Sequence, residues 1–86
     1  MFYEVKKTSG YFDGIPSTIS VFFQNEEKAR EHMYALCENV KQFCTDIAIN
    51  EENNEGEELV SLVSWADGYS ATIEFIPRAF ADDFTN

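Results

Sequence analysis

An α+β fold in the order ββαβββ, with one helix laid across a single face of a mainly antiparallel sheet, is what this sequence predicts. One long stretch spaces its apolar residues by threes and fours, and five shorter stretches alternate apolar with polar residues. The segments between them collect Gly, Pro, Asp and Asn. At 86 residues there is room for one domain, read as 1–78, followed by an acidic and aromatic tail over 79–86. Eight Phe, four Tyr and one Trp within a 44% hydrophobic composition fill one core, which argues against a disordered chain despite its charge.

Phe2–Thr8 and Thr18–Phe23 alternate around Val5, Ile19, Val21 and Phe23 and read as a first hairpin. Its connection holds Gly10, Gly14 and Pro16, which suits a long loop, and exposes Tyr11 and Phe12. A helix follows over Glu26–Phe43, with Asn25 as its N-cap and Glu26 and Glu27 at the positive end of its dipole. Its apolar stripe is Ala29, Met33, Leu36, Cys37, Val40, Phe43 and Cys44. Thr45–Asn50 makes a short third strand and Glu51–Gly56 a polar loop. Glu57–Trp65 and Tyr69–Ile76 form the last hairpin around Asp67-Gly68, and Pro77 closes it.

A two-residue turn at Asp67-Gly68 sets Val60 against Phe75 and Leu62 against Ile73 on the helix side. Leu59, Val63, Trp65 and Ile76 then fall on the helix-free face, where Val63 and Trp65 are candidates for the centre of a contact surface. A three-residue loop would move the register by one and send Trp65 and Val63 to the other face.

Charge is distributed unevenly. Residues 1–41 hold six acids against five bases, a net of −1, whereas 42–86 hold ten acids against Arg78 alone, a net of −9. Such a surface repels nucleic acid and suits a basic protein partner. The candidate partner-binding residues are therefore Glu51, Glu52, Glu55, Glu57 and Glu58, together with the helical row Glu27, Glu31, Tyr34 and Glu38. Positions i, i+4, i+7 and i+11 set that row opposite the core stripe, where a solvated face is the plainer explanation of it.

No catalytic constellation is found. His32 is the single histidine and sits on the flank of the helical stripe, where it reads as a half-buried structural residue, so two-His metal sites are absent and any Ser-His-Asp or Cys-His arrangement would rest on this one ring. Cys37 and Cys44, seven apart on one helix, lie about 10.5 Å apart along its axis, beyond the roughly 7 Å that a disulfide spans, and read as buried thiols. Aligning Gly56 with the glycine of an EF-hand loop places Leu62 where a bidentate Glu belongs, so that motif fails. No GxGxxG or P-loop occurs, and no cofactor or metal is expected.

No apolar run is long enough to span a membrane, and the first residues lack the order of a signal peptide, so a cytoplasmic protein is expected. The function expected is non-enzymatic: an acidic inhibitor or adaptor that engages a basic, nucleic-acid-binding protein, its carboxylates standing in for phosphates. Phage inhibitors of nucleases and immunity proteins are analogies of class. The second reading is a homodimer or scaffold module packing through the helix-free sheet face.

Overall fold

The computed structural model describes residues 1–54 and 56–78. The strands are β1 (Phe2–Tyr11), β2 (Ser17–Phe23), β3 (Ile47–Asn54), β4 (Glu57–Ser64) and β5 (Tyr69–Arg78), and the helix is α1 (Glu26–Phe43). All neighbours pair antiparallel in one five-stranded sheet of order β2-β1-β5-β4-β3. The expected element order and α+β class are those observed. Glu55 and the tail 79–86 lie outside the described residues.

The helix has the bounds its sequence predicts. Asn25 Oδ1 accepts the Lys28 backbone N–H at 3.0 Å, satisfying one of the orphan donors of the first turn. Ala29, Met33, Cys37 and Val40 are buried on one stripe against Val5, Leu62, Ala71, Ile73 and Phe75 of the sheet. Phe43 was expected in that stripe but is 62% exposed, its ring lying edge-on to Tyr69 with centroids 5.3 Å apart. Cys44, the C-cap residue, is buried in its place.

β3 runs on through Glu51–Asn54, which the sequence suggested as loop. Asn and Glu are poor strand formers, yet these residues pair with Glu57–Val60 in a continuous ladder. Reversal is left to the turn around Gly56, whose φ of 86° is the left-handed conformation that glycine adopts freely. β1 and β5 are also longer than expected. β5 passes through Pro77, where pairing with β4 has already ended at Phe75, so the missing N–H breaks no ladder bond on that side.

The last hairpin corrects the expected register. Ser64 pairs with Tyr69, leaving a four-residue turn Trp65-Ala66-Asp67-Gly68, so Val60 opposes Ile73 and Leu62 opposes Ala71. The register is thus displaced by two residues from the one a tight Asp67-Gly68 turn gives. The cause is the Asp67 side chain, which accepts from the Ser64 hydroxyl at 2.7 Å and from the Thr45 backbone N–H at 2.9 Å instead of serving a two-residue turn. A shift of two preserves the side-chain alternation, so Val60 and Leu62 still face the helix.

On the helix-free face, Leu59 now stands across from Glu74 and Val63 across from Ser70, both half-buried. The row beside them is Ser61, Thr72, Thr8 and Thr18, with the last two hydroxyls 3.2 Å apart. The expected group of Leu59, Val63, Trp65 and Ile76 is therefore broken up by polar residues. Trp65 belongs to the turn, not to the strand.

Candidate functional site

Three chain reversals meet at one end of the sheet: the β1–β2 turn, the α1–β3 connection and the β4–β5 turn. The β4–β5 turn is bonded to each of the other two. The Phe12 backbone N–H donates to the Gly68 carbonyl at 2.7 Å, joining the first turn to the last. Asp67 Oδ2 accepts from the Thr45 backbone N–H and hydroxyl and from the Ser64 hydroxyl, joining the helix exit to the same turn. Asp46, at φ 51°, turns the chain from helix to strand in a conformation that Asp tolerates better than most residues. The Asp67 carboxyl is held below the usual carboxylate range, chiefly by the Thr45 N–H and then by Ser64.

This scaffold holds aromatic rings in solvent. Trp65 is 73% exposed, Phe43 62%, Tyr11 53% and Phe12 52%. They are not scattered: Phe12 and Trp65 pack edge to face with centroids 5.5 Å apart, and Tyr11 and Phe43 each pack on half-buried Tyr69 at 5.3 Å. Exposed Asp13 and Asp46 lie in the same reversals, and no Lys or Arg does. Aromatic rings fixed in position at the surface are the side chains that dominate protein–protein contacts, because they bury large area at small entropic cost.

The predicted carboxylates sit at the other end of the sheet. Glu51, Glu52 and Glu57 are exposed on β3 and β4 and take part in no ion pair among the described residues. Glu58 differs: Arg30 bonds it together with Glu26 and lies over the Phe75 ring at 4.4 Å, so its charge is compensated. Glu52, Glu57 and Glu74, from three neighbouring strands, border a hollow of about 200 Å³ floored by Leu59 and Ile76. Arg78, the one base of the acidic half, is spent on Glu4 at 2.7 Å.

Glu27, Glu31, Tyr34 and Glu38 stand exposed on α1, as their spacing predicts, and Lys41 pairs with Glu38. Tyr34 and Lys41 also wall a groove of about 470 Å³ between α1 and β3, with Ile49, Glu51 and Val60 opposite. The structure thus divides the sequence-predicted residues among an acidic end, a helix face and an aromatic end that holds Trp65, while Val63 lies on the helix-free face. Phe43 and Tyr69 were not anticipated as surface residues, and residues so far apart in sequence carry no local signal of their meeting.

Half-buried His32 rests against Phe23, ring centroids 5.3 Å apart. Cys37 and Cys44 are buried free thiols whose pKa is raised by desolvation, the opposite of an activated nucleophile. Among the described residues no cluster of His, Cys, Asp or Glu could hold a metal, and no helix is long and apolar enough to cross a membrane. Comparison with family models, curated proteins and solved structures finds no match to this chain.

Proposed function

We propose that this chain is a non-enzymatic acidic binding protein that engages a basic protein surface, with the aromatic end as the contact and the carboxylates as the source of attraction. One observation carries the reading: four rings stand more than half exposed on or beside three chain reversals, tied together through the β4–β5 turn, that contain Asp13 and Asp46 and no base. Rings flanked by carboxylates receive Lys and Arg side chains by cation–π contact and by ion pairing at once. The charge of −10 extends the attraction beyond contact and raises the rate of encounter. A nucleic-acid-binding protein has the cationic surface this requires, and inhibition by occupying that surface is the mode of action proposed.

The test is Trp65→Ser. Trp65 is 73% exposed, so folding should be retained, whereas loss of a central aromatic anchor weakens binding by at least about 2 kcal/mol, or roughly thirtyfold. Proteins captured from lysate by the native chain and by this variant are compared across a salt series, with a nucleic acid as competitor. A basic protein that is retained by the native chain, lost with Trp65→Ser and displaced by the nucleic acid supports the reading. Captured proteins that are not basic, or that the variant retains equally, overturn it.

A further inference from the structure

The sheet has two edges, and only one is guarded. Edge strands present unpaired N–H and C=O groups, and proteins blunt them with charge, proline or bulges. β3 carries Glu51 and Glu52 along its exposed length. β2 carries nothing of the kind. From Gly14 to Asn25 the sequence has no charged residue, although 26% of the chain is charged. Within this stretch Ile15 is 95% exposed, Ile19 64% and Phe22 57%. Ile19 and Phe22 lie on opposite faces of the strand, so a chain laid beside β2 would be gripped from both sides.

We propose that β2 is the seam of a symmetric homodimer, pairing antiparallel with β2 of a second copy to join two five-stranded sheets into one. The strand matches itself. Centred on Ser20, the pairing sets Ile19 against the partner's Val21 and Thr18 against the partner's Phe22, all β-branched or aromatic, with no like charges opposed. Directly opposed residues share a face, so two Ile19 and two Val21 side chains form one apolar cluster on the helix side. The Ser20 hydroxyl is already turned onto Glu4 of its own chain at 2.7 Å and does not contend with its symmetry mate.

Electrostatics selects this seam over the β3 edge, and self-complementarity selects the occupant. Residues 1–25 contain two acids and two bases, Glu4 and Asp13 with Lys6 and Lys7, so the whole charge of −10 resides elsewhere. Joining the β2 edges sets the two β3 strands nine strand spacings apart, about 43 Å at roughly 4.8 Å each, several times the Debye length of about 8 Å. Joining the β3 edges would instead bring Glu51 and Glu52 of both copies to neighbouring positions. A foreign strand would find the same backbone groups on β2, but no charge or pocket that selects it, whereas a second copy fits by symmetry. This seam is independent of the aromatic end, and the two-fold axis places the two aromatic ends at opposite ends of the dimer.

Sedimentation equilibrium of the full chain over a range of concentrations reads the association directly. Molar mass should rise to twice 9.9 kDa. Raising salt from about 0.1 M to about 1 M shortens the Debye length from about 10 Å to about 3 Å and should strengthen the dimer severalfold, by screening the repulsion of like-charged copies. That is opposite in sign to the salt response expected for a basic partner, so the two proposals fail separately. Ile19→Lys and Thr18→Lys, both at exposed positions, should each keep the native circular dichroism and weaken the dimer on the order of a hundredfold, since symmetry introduces each lysine twice. Should one variant fold poorly, the other decides. Ile49→Lys on β3 should change nothing, and the β2 amides of the native chain should become protected from hydrogen exchange as concentration rises. A native chain that stays monomeric up to roughly 1 mM in both salts overturns the proposal. So does a dimer that both lysine variants retain.

Discussion

At one end of the sheet the β4–β5 turn is bonded to both of the other chain reversals, and aromatic rings are displayed around them. At the other, Glu51, Glu52 and Glu57 project from a single hairpin, and the side-chain ties there include Arg78 on Glu4, between the neighbouring strands β5 and β1, and Arg30 on Glu58, between α1 and β4. The difference suits what each surface would do under the proposed function. Rings in water gain nothing from exposure and act at an interface only if their positions are fixed beforehand. Carboxylates act over a Debye length and tolerate imprecise placement. On that proposal, bonded turns are placed where contact chemistry would need them, and charge where it would not.

The largest effect expected is from Phe75→Ala. Phe75 is 1% exposed, stacks on Tyr3 and lies under Arg30, so truncation should cost about 3–5 kcal/mol, a large part of what a domain of this size possesses. Trp65 fluorescence reports the aromatic end and far-ultraviolet circular dichroism the whole sheet. Coincident urea transitions would show that both ends stand on one core, and separated transitions would break the comparison at its base.

Glu4→Ala should come next. Its carboxylate, 7% exposed, accepts from Ser20 on β2 and Arg78 on β5, and removing it should cost about 1–3 kcal/mol. Urea midpoints measure this, and Glu4→Gln, which keeps an acceptor, should lose less.

Acid should act on both ends through a smaller contribution. The Glu4 carboxyl is held below its ordinary value, chiefly by the Ser20 hydroxyl and then by Arg78, and Asp67 is held low by Thr45 and Ser64. A folded-state pKa below the unfolded one gives stabilisation that is complete above the ordinary carboxylate value of about 4 and is lost as pH falls through the folded value. Stability should thus decline with acid below that point. Asp67→Asn should be less stable at neutral pH and should show a shallower acid limb in urea titrations at stepped pH.

Smallest of all should be the change in stability on replacing Glu51, Glu52 and Glu57 with Gln, within about 0.5 kcal/mol for each exposed site. Glu58 is left native because Arg30 bonds it. Association with a basic partner should nevertheless slow, on the order of tenfold at low salt. Association rates across a salt series, superimposable for the native and Gln-substituted chains, would remove the acidic end from the proposal.

Periodicity and capping made the fold legible in the sequence. Asn25 and the stripe Ala29, Met33, Cys37, Val40 located the helix, and alternation assigned Val60 and Leu62 to the correct face even though the pairing was displaced by two. The displacement itself was not legible, because it comes from Asp67 bonding Thr45, 22 residues away in sequence, where the local pattern shows only an Asp-Gly turn. The acidic residues were visible as a run in the chain. The aromatic end was not, since residues 11, 12, 43, 65 and 69 are brought together by topology alone.

That topology also sets an order of events. β1 lies inside the sheet between β2 and the central strand β5, so the first strand waits for β5 before it is enclosed. The Glu4–Arg78 bond closes a loop of 74 residues, and the β1–β5 ladder joins Phe2–Tyr11 to Tyr69–Arg78 along its whole length. Contacts so distant in sequence slow folding, toward about milliseconds to seconds for sheets of this kind. During synthesis the first hairpin and the helix precede the strand that completes their core, and Val5 stays without Phe75 until residue 75 has left the ribosome. Folding of this chain is therefore gated by β5, and anything that delays it prolongs the exposure of a strand-forming hairpin with no net charge.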